Sequence, residues 1–434
     1  MSQTLTLGIG RQIITPQVGG NLSGYRPDII SESVHDDLTA TAFCFRQGDL
    51  TVLMISVTVS SIRPALSDII RERIEDECGI PKQHCLLHAI HTHSGPIINP
   101  SNGWGMPDPE YVDDVFIPRI VEAAREALSQ AIPVTMKVST GESLVGINRR
   151  ELRRDNRIVL GQNPWGPFDP KMTVLSFAGE DGAPVANLIH YGCHGTAAGQ
   201  NHEISRDWAG VMIDAVERVY GGITAYFNGP EGDVGPRLAN GKTTGRNHVS
   251  DAVEHGGIAA VDALRICRQR NGYTVPTLEL SVQTLNIPLG PRVPKEEAAE
   301  LLKEFEGCTV NLKAKKRSYY ERVLKSYESD YQEQDAIPIE QTILRLGDVA
   351  FVATPYELFS EIGMRIAQAS PFPHTLTLSI TNGSRGYFVT EDQICRGGYE
   401  VDMFLTTNIQ PYVPNADFHF FTQTVTHLEA MKGE

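Results

Sequence analysis

The chain predicts an α/β domain of mixed sheets with flanking helices, and three observations carry that expectation. Short apolar, strand-like runs recur along the whole length, segments with apolar residues at three- and four-residue spacing fall between them, and the Pro and Gly residues are dispersed rather than gathered into a linker. The interleaving of the two periods points to layered sheets and helices, with functional residues on loops at strand ends.

Taken in order, strands are expected at 39–46 and 50–58, two apolar runs separated by Gly48 and Asp49. A helix fits 63–77, opened by Pro64, and a strand at 84–90 ends at His91. A long helix pattern covers 110–130, followed by strands at 134–140, 171–177 and 184–190. Helices fit 207–219 and 249–269, with a strand at 223–228 between them; Ser205 is placed to cap the first of these helices. Strands at 277–287, 340–346 and 349–353, a helix at 357–369 and a strand at 375–380 complete the list. Gly8-Ile9-Gly10 lacks the third glycine of a dinucleotide site and reads as a tight strand feature. No internal repeat is visible. A single domain over 1–434 is expected, with a helical insertion or lid at 290–335 rich in charge and tyrosine, including Lys313-Ala314-Lys315-Lys316-Arg317. That segment reads either as a solvated hairpin on the domain edge or as a lid supplying Lys or Arg to an anionic substrate.

Composition limits the function. A formal charge of −15 disfavours nucleic acid, whose binders need a basic face. No run approaches the roughly 18 to 20 apolar residues of a membrane span, and the first residues lack a secretion signal. The seven cysteines are odd in number and contain no Cys-x-x-Cys pair, which suits reduced thiols and a cytoplasmic location. A homo-oligomer is left open. There is no Walker A sequence and no His-Glu-x-x-His helix; Asn382-Gly383-Ser384-Arg385-Gly386 only partly matches a nucleophile elbow.

The chemistry is concentrated at four strand ends. His91-Thr92-His93-Ser94-Gly95-Pro96 sets two imidazoles two residues apart, and on a strand residues i and i+2 share a face. His194 follows the run at 184–190 within Cys193-His194-Gly195-Thr196, Glu357 follows 349–353, and Tyr387 follows 375–380. Imidazole with carboxylate suits a borderline-soft cation such as zinc.

These segments, together with Gly8-Ile9-Gly10-Arg11, Ile14-Thr15-Pro16, Ile147-Asn148-Arg149, Asn228, Gly232-Asp233-Val234 and Val389-Thr390, resemble the catalytic domain of the neutral (nonlysosomal) ceramidases in order and spacing. The resemblance implies one zinc held by His91, His194, Glu357 and Tyr387. It also implies that His93 and Arg149 face the substrate beside Tyr387, with Asn228, Glu231 and Gly235 lining its site. It further implies a hydrolase for a carbon–nitrogen bond other than a peptide bond. The sequence departs from that pattern where Gly235 stands in place of the family serine, where Glu231 occupies a position that is small in the relatives, and where the chain ends at Glu434. These departures favour a small soluble N-acyl amine or amide cleaved by metal-activated water over ceramide. A lipid amidase or a non-catalytic binder are the alternatives. Cys193, His190, His202, Glu203, Asp207 and Asp233 lie near these segments; a second metal and the parts played by Glu231, Asp207 and Asp233 are left open.

Overall fold

The computed structural model describes residues 4–100, 104–309 and 311–433; residues 1–3 and 434 of the expected domain, and Val310 of the expected lid, lie outside them. Its three large sheets repeat one topology. The first is built from β1 (Thr6–Ile13), β2 (Thr39–Gln47), β3 (Leu50–Val57) and β4 (Cys85–Ala89), with the short Ile132–Pro133 strand at its edge. The second contains β5 (Thr135–Glu142), β6 (Lys171–Ala178), β7 (Pro184–Tyr191) and β8 (Ile223–Asn228). The third contains β9 (Leu278–Pro288), β10 (Ala336–Leu346), β11 (Val349–Ala353) and β12 (His374–Leu378). In each sheet three antiparallel strands run as a meander, a helix crosses over, and the fourth strand pairs parallel to the third. The crossover helices are Pro64–Cys78, Asp207–Val219 and Ser360–Ala369. A further helix then returns to each sheet: Ile117–Ser129, Val249–Cys267 and Ala416–Gly433. The repeat that sequence does not display is present as topology.

Strand patterning explains the layers. On β2, Phe43 and Phe45 face a central core shared by all three sheets, whereas Ala40, Ala42 and Cys44 face the helices of their own module. On β3, Val52 and Met54 face the centre and Leu53, Ile55 and Val57 the helices. Both faces being buried, these strands read as continuous apolar runs rather than alternating ones. The same division places Leu175 and Phe177 of β6 at the centre and Met172 and Val174 against helices.

Most expected elements are present, with three informative differences. β1 extends beyond the tight strand feature expected at Gly8-Ile9-Gly10: the two glycines lower strand propensity, yet a Cβ on them would lie 1.8 Å from the Ala127 carbonyl oxygen and 2.1 Å from that of Ala123. Both glycines let the Ile117–Ser129 helix seat on the strand. The helical pattern at 110–130 contains a π-helical stretch, Val112–Phe116. The expected helix at 357–369 begins only at Ser360, because Glu357–Leu358 forms a short ladder with Tyr387–Phe388. Within 290–335 the described residues form a hairpin of two helices, Lys295–Glu304 and Asn311–Ser326.

Candidate functional site

The loops that follow the third and fourth strands of the three modules converge at one end of the central core. His91 is not on the strand: β4 ends at Ala89, and His91 has φ 70°, in the left-handed region that costs a non-glycine residue roughly 1–3 kcal/mol. That turn, rather than the pleat, brings His91 and His93 together. Backbone ties fix it, from the His91 amide to the Val59 carbonyl (3.0 Å) and from the His93 amide to the Gly195 carbonyl (2.9 Å). The second tie joins the loop of the first module to the loop carrying His194. Glu357 and Tyr387 stand side by side because their two-residue strands pair in parallel register.

Hydrogen bonding fixes the tautomers. His91 Nδ1 lies 2.7 Å from the Ser60 carbonyl oxygen, which can only accept, so Nδ1 carries the proton and Nε2 presents a lone pair. His194 Nδ1 lies 2.9 Å and 3.0 Å from the Glu231 and Val234 carbonyl oxygens, with the same result. Both Nε2 atoms face Glu357 Oε2, at 3.5 Å and 3.4 Å, and that buried oxygen has no hydrogen-bond partner. The Tyr387 hydroxyl is 3.4 Å from His194 Nε2, and His93 Nε2 is 3.4 Å from His91 Nε2. Neutral lone pairs converging on a carboxylate need a positive charge between them, either a proton or a metal cation. The donor set of two imidazoles, a carboxylate and a phenol fits a divalent ion of the zinc type. His91, His93 and His194 form one group close enough to share an ion; His91, Glu231 and Glu357 form another.

The protonation preferences follow from burial and from this crowding. Burial and the neighbouring His91 and His194 hold the His93 imidazolium well below its usual range. Burial, with Arg149 and His91, lowers His194 to about 3. Burial opposes charge on His91, but the Glu357 carboxylate outweighs it and the net direction is upward. Glu231 is completely buried, neither of its carboxylate oxygens has a hydrogen-bond partner, and burial lifts it to about 8.

Arg149 donates from Nη2 to the Tyr387 hydroxyl at 2.9 Å and from Nε to Glu400 at 2.8 Å. Arg150 donates to the other Glu400 oxygen at 2.7 Å, so one buried carboxylate holds two guanidinium groups in place. Glu400 escaped sequence reading; its only local signal is an acidic residue in the first turn of the Tyr399–Leu405 helix, which is ordinary. Tyr25 was also missed, and its ring lies 5.1 Å from that of His93.

Several sequence candidates are placed beside the cluster as supports. Asn228 accepts from the Cys193 amide (3.0 Å) and from the Tyr226 hydroxyl (2.9 Å), and donates to the Ile90 carbonyl (3.3 Å). Asp233 accepts from the Ser360 amide (2.7 Å) and from Asn148 (3.0 Å), joining the His194 side of the site to the helix after Glu357. Asp207 accepts from the Ala197 and Ala198 amides at 3.0 Å and 2.9 Å, so it shapes the loop after His194 and not the imidazole itself. Ser205 accepts from the Asp207 amide at 3.0 Å, but the residue at the N-cap position is Arg206 and not Ser205, because the helix starts at Asp207. Gly235 pairs with Ile147, and a Cβ there would lie 2.6 Å from Thr243 Cβ. His190 is bound to the Thr377 carbonyl (2.9 Å); His202 contacts the Ile30 carbonyl (2.7 Å) at the surface, beside Glu203. Cys193 is buried, and burial pushes its thiol far up, which suits packing rather than nucleophilic chemistry. All seven cysteines are unpaired. Among the described residues no helix is long and apolar enough to cross a membrane.

A cavity of about 370 Å³ opens onto the cluster, with His91 and Glu357 in its wall and Lys315, Ser318 and Arg322 contributed by the helical hairpin.

No protein-family model matches the chain, and no curated protein matches it. Solved structures do. The neutral ceramidase from Pseudomonas aeruginosa matches with a TM-score of 0.76 at 18% identity, over 100% of this chain and 75% of that one. A structure described as ceramidase complexed with C2 matches with a TM-score of 0.75 at 17% identity, over 99% and 76%. The chain therefore has a neutral ceramidase-like fold.

Proposed function

We propose that this protein is a metal-dependent hydrolase of a linear amide bond, with His91, His194, Glu357 and Tyr387 holding a zinc-type cation. The observation that carries the reading is the pair of neutral Nε2 lone pairs aimed at the unpartnered Glu357 Oε2, at 3.5 Å and 3.4 Å. Likeness in fold to ceramidases, which cleave an amide, supports the choice of bond. Such a cation, when bound, supplies a Lewis acid and lowers the pKa of water toward neutrality. Around it the protein's own groups have separate tasks. Arg149, fixed by Glu400, and the Tyr387 hydroxyl it contacts can donate to the oxyanion of a tetrahedral intermediate. His93, held neutral by burial and by the other histidines, accepts a proton from attacking water and returns it to the departing amine. The net change is one water consumed, one C–N bond broken, and one carboxylate and one protonated amine released. No side chain is acylated, consistent with Gly235 at the position of the family serine.

A cytoplasmic setting and a small soluble substrate belong to the same proposal. The second reading, a lipid amide such as ceramide, is favoured by the fold alone. A panel of short N-acyl amines and ceramide, assayed with and without chelator and with added zinc, separates them. Chelator-sensitive cleavage of short amides is expected; faster cleavage of ceramide than of every short amide would select the lipid reading, and no metal uptake would remove both.

A further inference from the structure

We infer that the substrate is anionic: the cavity over the metal cluster is built to receive a carboxylate or phosphate carried by the part of the amide that lies outward of the scissile bond. This rests on the hydrolase reading above and adds the class of molecule it acts on.

Four cationic side chains line the cavity, Arg63, Lys315, Arg322 and Arg385, and among the described residues the only carboxylate in its wall is Glu357, at the candidate metal cluster. Among the described residues none of the four is paired with an acid. Arg322 reaches only carbonyl oxygens, those of Thr406 at 3.2 Å and Ser318 at 3.4 Å. Lys315 stands over the Trp104 ring, 4.8 Å from its centre. Arg385 also borders a neighbouring cavity containing Asp68 and Glu340, but Lys82 and Arg71 already hold those carboxylates. The contrast with adjacent residues on the same helix is direct: Lys316 is paired with Asp402 (2.9 Å) and Arg317 with Glu321 (3.4 Å).

Lys315 and Arg385 are half-buried in the cavity wall, whereas Arg63 and Arg322 are exposed to solvent. Burial pushes Lys315 down to about 8, with Arg63 adding to the effect against the pull of Glu357. Arg63, although exposed, is lowered by partial desolvation and then by Arg322. Positive charge lining a cleft, with no acid beside it, attracts anions. Here it does so in a chain whose net charge is −15. Guanidinium groups add planar, paired donors for carboxylate or phosphate oxygens. An uncharged lipid amide would leave all four cations without a partner.

The test uses matched amides on the zinc-loaded protein, with a carboxylate, a phosphate or a neutral amide at the same outward position. Each is made with a short and a long acyl chain, so that a soluble anion and an anionic lipid are told apart. At least one anionic member is expected to exceed its neutral isostere tenfold or more in kcat/KM, and that ratio should fall toward one in Arg322→Gln and Lys315→Met. Lys313→Met, on the same helix but outside the cavity, should keep it. Calorimetry with succinate and with inorganic phosphate reads the same site without turnover. Binding weakened by Arg63→Gln and Arg322→Gln supports the inference even if no amide in the panel is cleaved, in which case the hydrolase reading fails alone. Equal cleavage of charged and neutral members, or anion binding that these variants leave intact, as for an anion held only by the metal, would overturn it.

Discussion

His91 shows how much a single position is asked to do: it adopts a left-handed backbone, donates through Nδ1 to Ser60, and offers Nε2 to the centre of the site. Replacing His91, His194 or Glu357 by Ala is expected to remove the bound metal and abolish turnover, which elemental analysis and the amide assay together check. The wild-type protein should also melt higher with zinc, since a ligand at 100 times its Kd adds about 2.7 kcal/mol, and the variants should not share that gain. Full metal content in His194→Ala would contradict the assignment. Glu400 calls for a different outcome. Glu400→Gln leaves Arg149 and Arg150 buried against a neutral partner, and breaking a buried pair costs about 3–5 kcal/mol. It should keep its metal, lose kcat more than KM, and melt lower; loss of metal instead would mean that Glu400 supports the ligand cluster itself. The candidate ligands were legible in sequence because each follows an apolar run that ends in a loop. Glu400 and Tyr25 were not, because their partners Arg149 and His93 lie far away in sequence and nothing local marks them.

At the level of elements, sequence reading succeeded where local pattern and burial agree and failed where a neighbouring module decides. The helix after Glu357 begins at Ser360 because Asp233, from another loop, accepts its amide. The Ala416–Gly433 helix escaped notice because Asp417 and Thr424 interrupt its buried stripe, Thr424 accepting from Gln341 at 2.9 Å. Gly235 illustrates the coupling between such pieces. Its strand places the Val234 carbonyl 3.0 Å from His194 Nδ1, and a serine Cβ would meet Thr243 at 2.6 Å. Gly235→Ser is therefore expected to weaken zinc affinity and reduce activity tenfold or more, roughly 1.4 kcal/mol in transition-state stabilisation. Adding Thr243→Gly should restore part of both. Unchanged kinetics in the single variant would show that the strand tolerates the side chain. Gly10→Ala tests a seam remote from the site: with the Ala123 oxygen 2.1 Å from the new Cβ, about 1–3 kcal/mol of stability should be lost in denaturant melts at unchanged metal content.

Over the whole molecule the three βββαβα modules meet where their last strands cross, and polar groups join them there. His88 on β4 accepts from the Asn228 amide of the second module (2.8 Å) and pairs with Thr381 of the third (2.9 Å); the Ser379 amide donates to the Asn228 carbonyl (3.1 Å). His190 on β7 donates to the Thr377 carbonyl on β12 at 2.9 Å. Divergence of the modules' loops hides this relation from a one-dimensional reading, since equivalent loop positions carry histidine in one module and glutamate in another. The junction also gives a signed pH dependence. Burial lowers His190 from an ordinary 6.5 to about 4, so between these values the unfolded chain holds the proton and the folded one does not. Its neutral form adds no penalty above pH 6.5, and stability is lost as pH falls from there toward 4, by up to about 1.4 kcal/mol per unit. Other groups titrate in the same range, so the test is a difference. His190→Gln keeps a donor for Thr377 but cannot take up a proton, and its deficit in unfolding free energy relative to the native chain should shrink steadily between pH 6.5 and 4. A deficit that stays constant across that range would mean that His190 does not remain neutral because of where the modules meet.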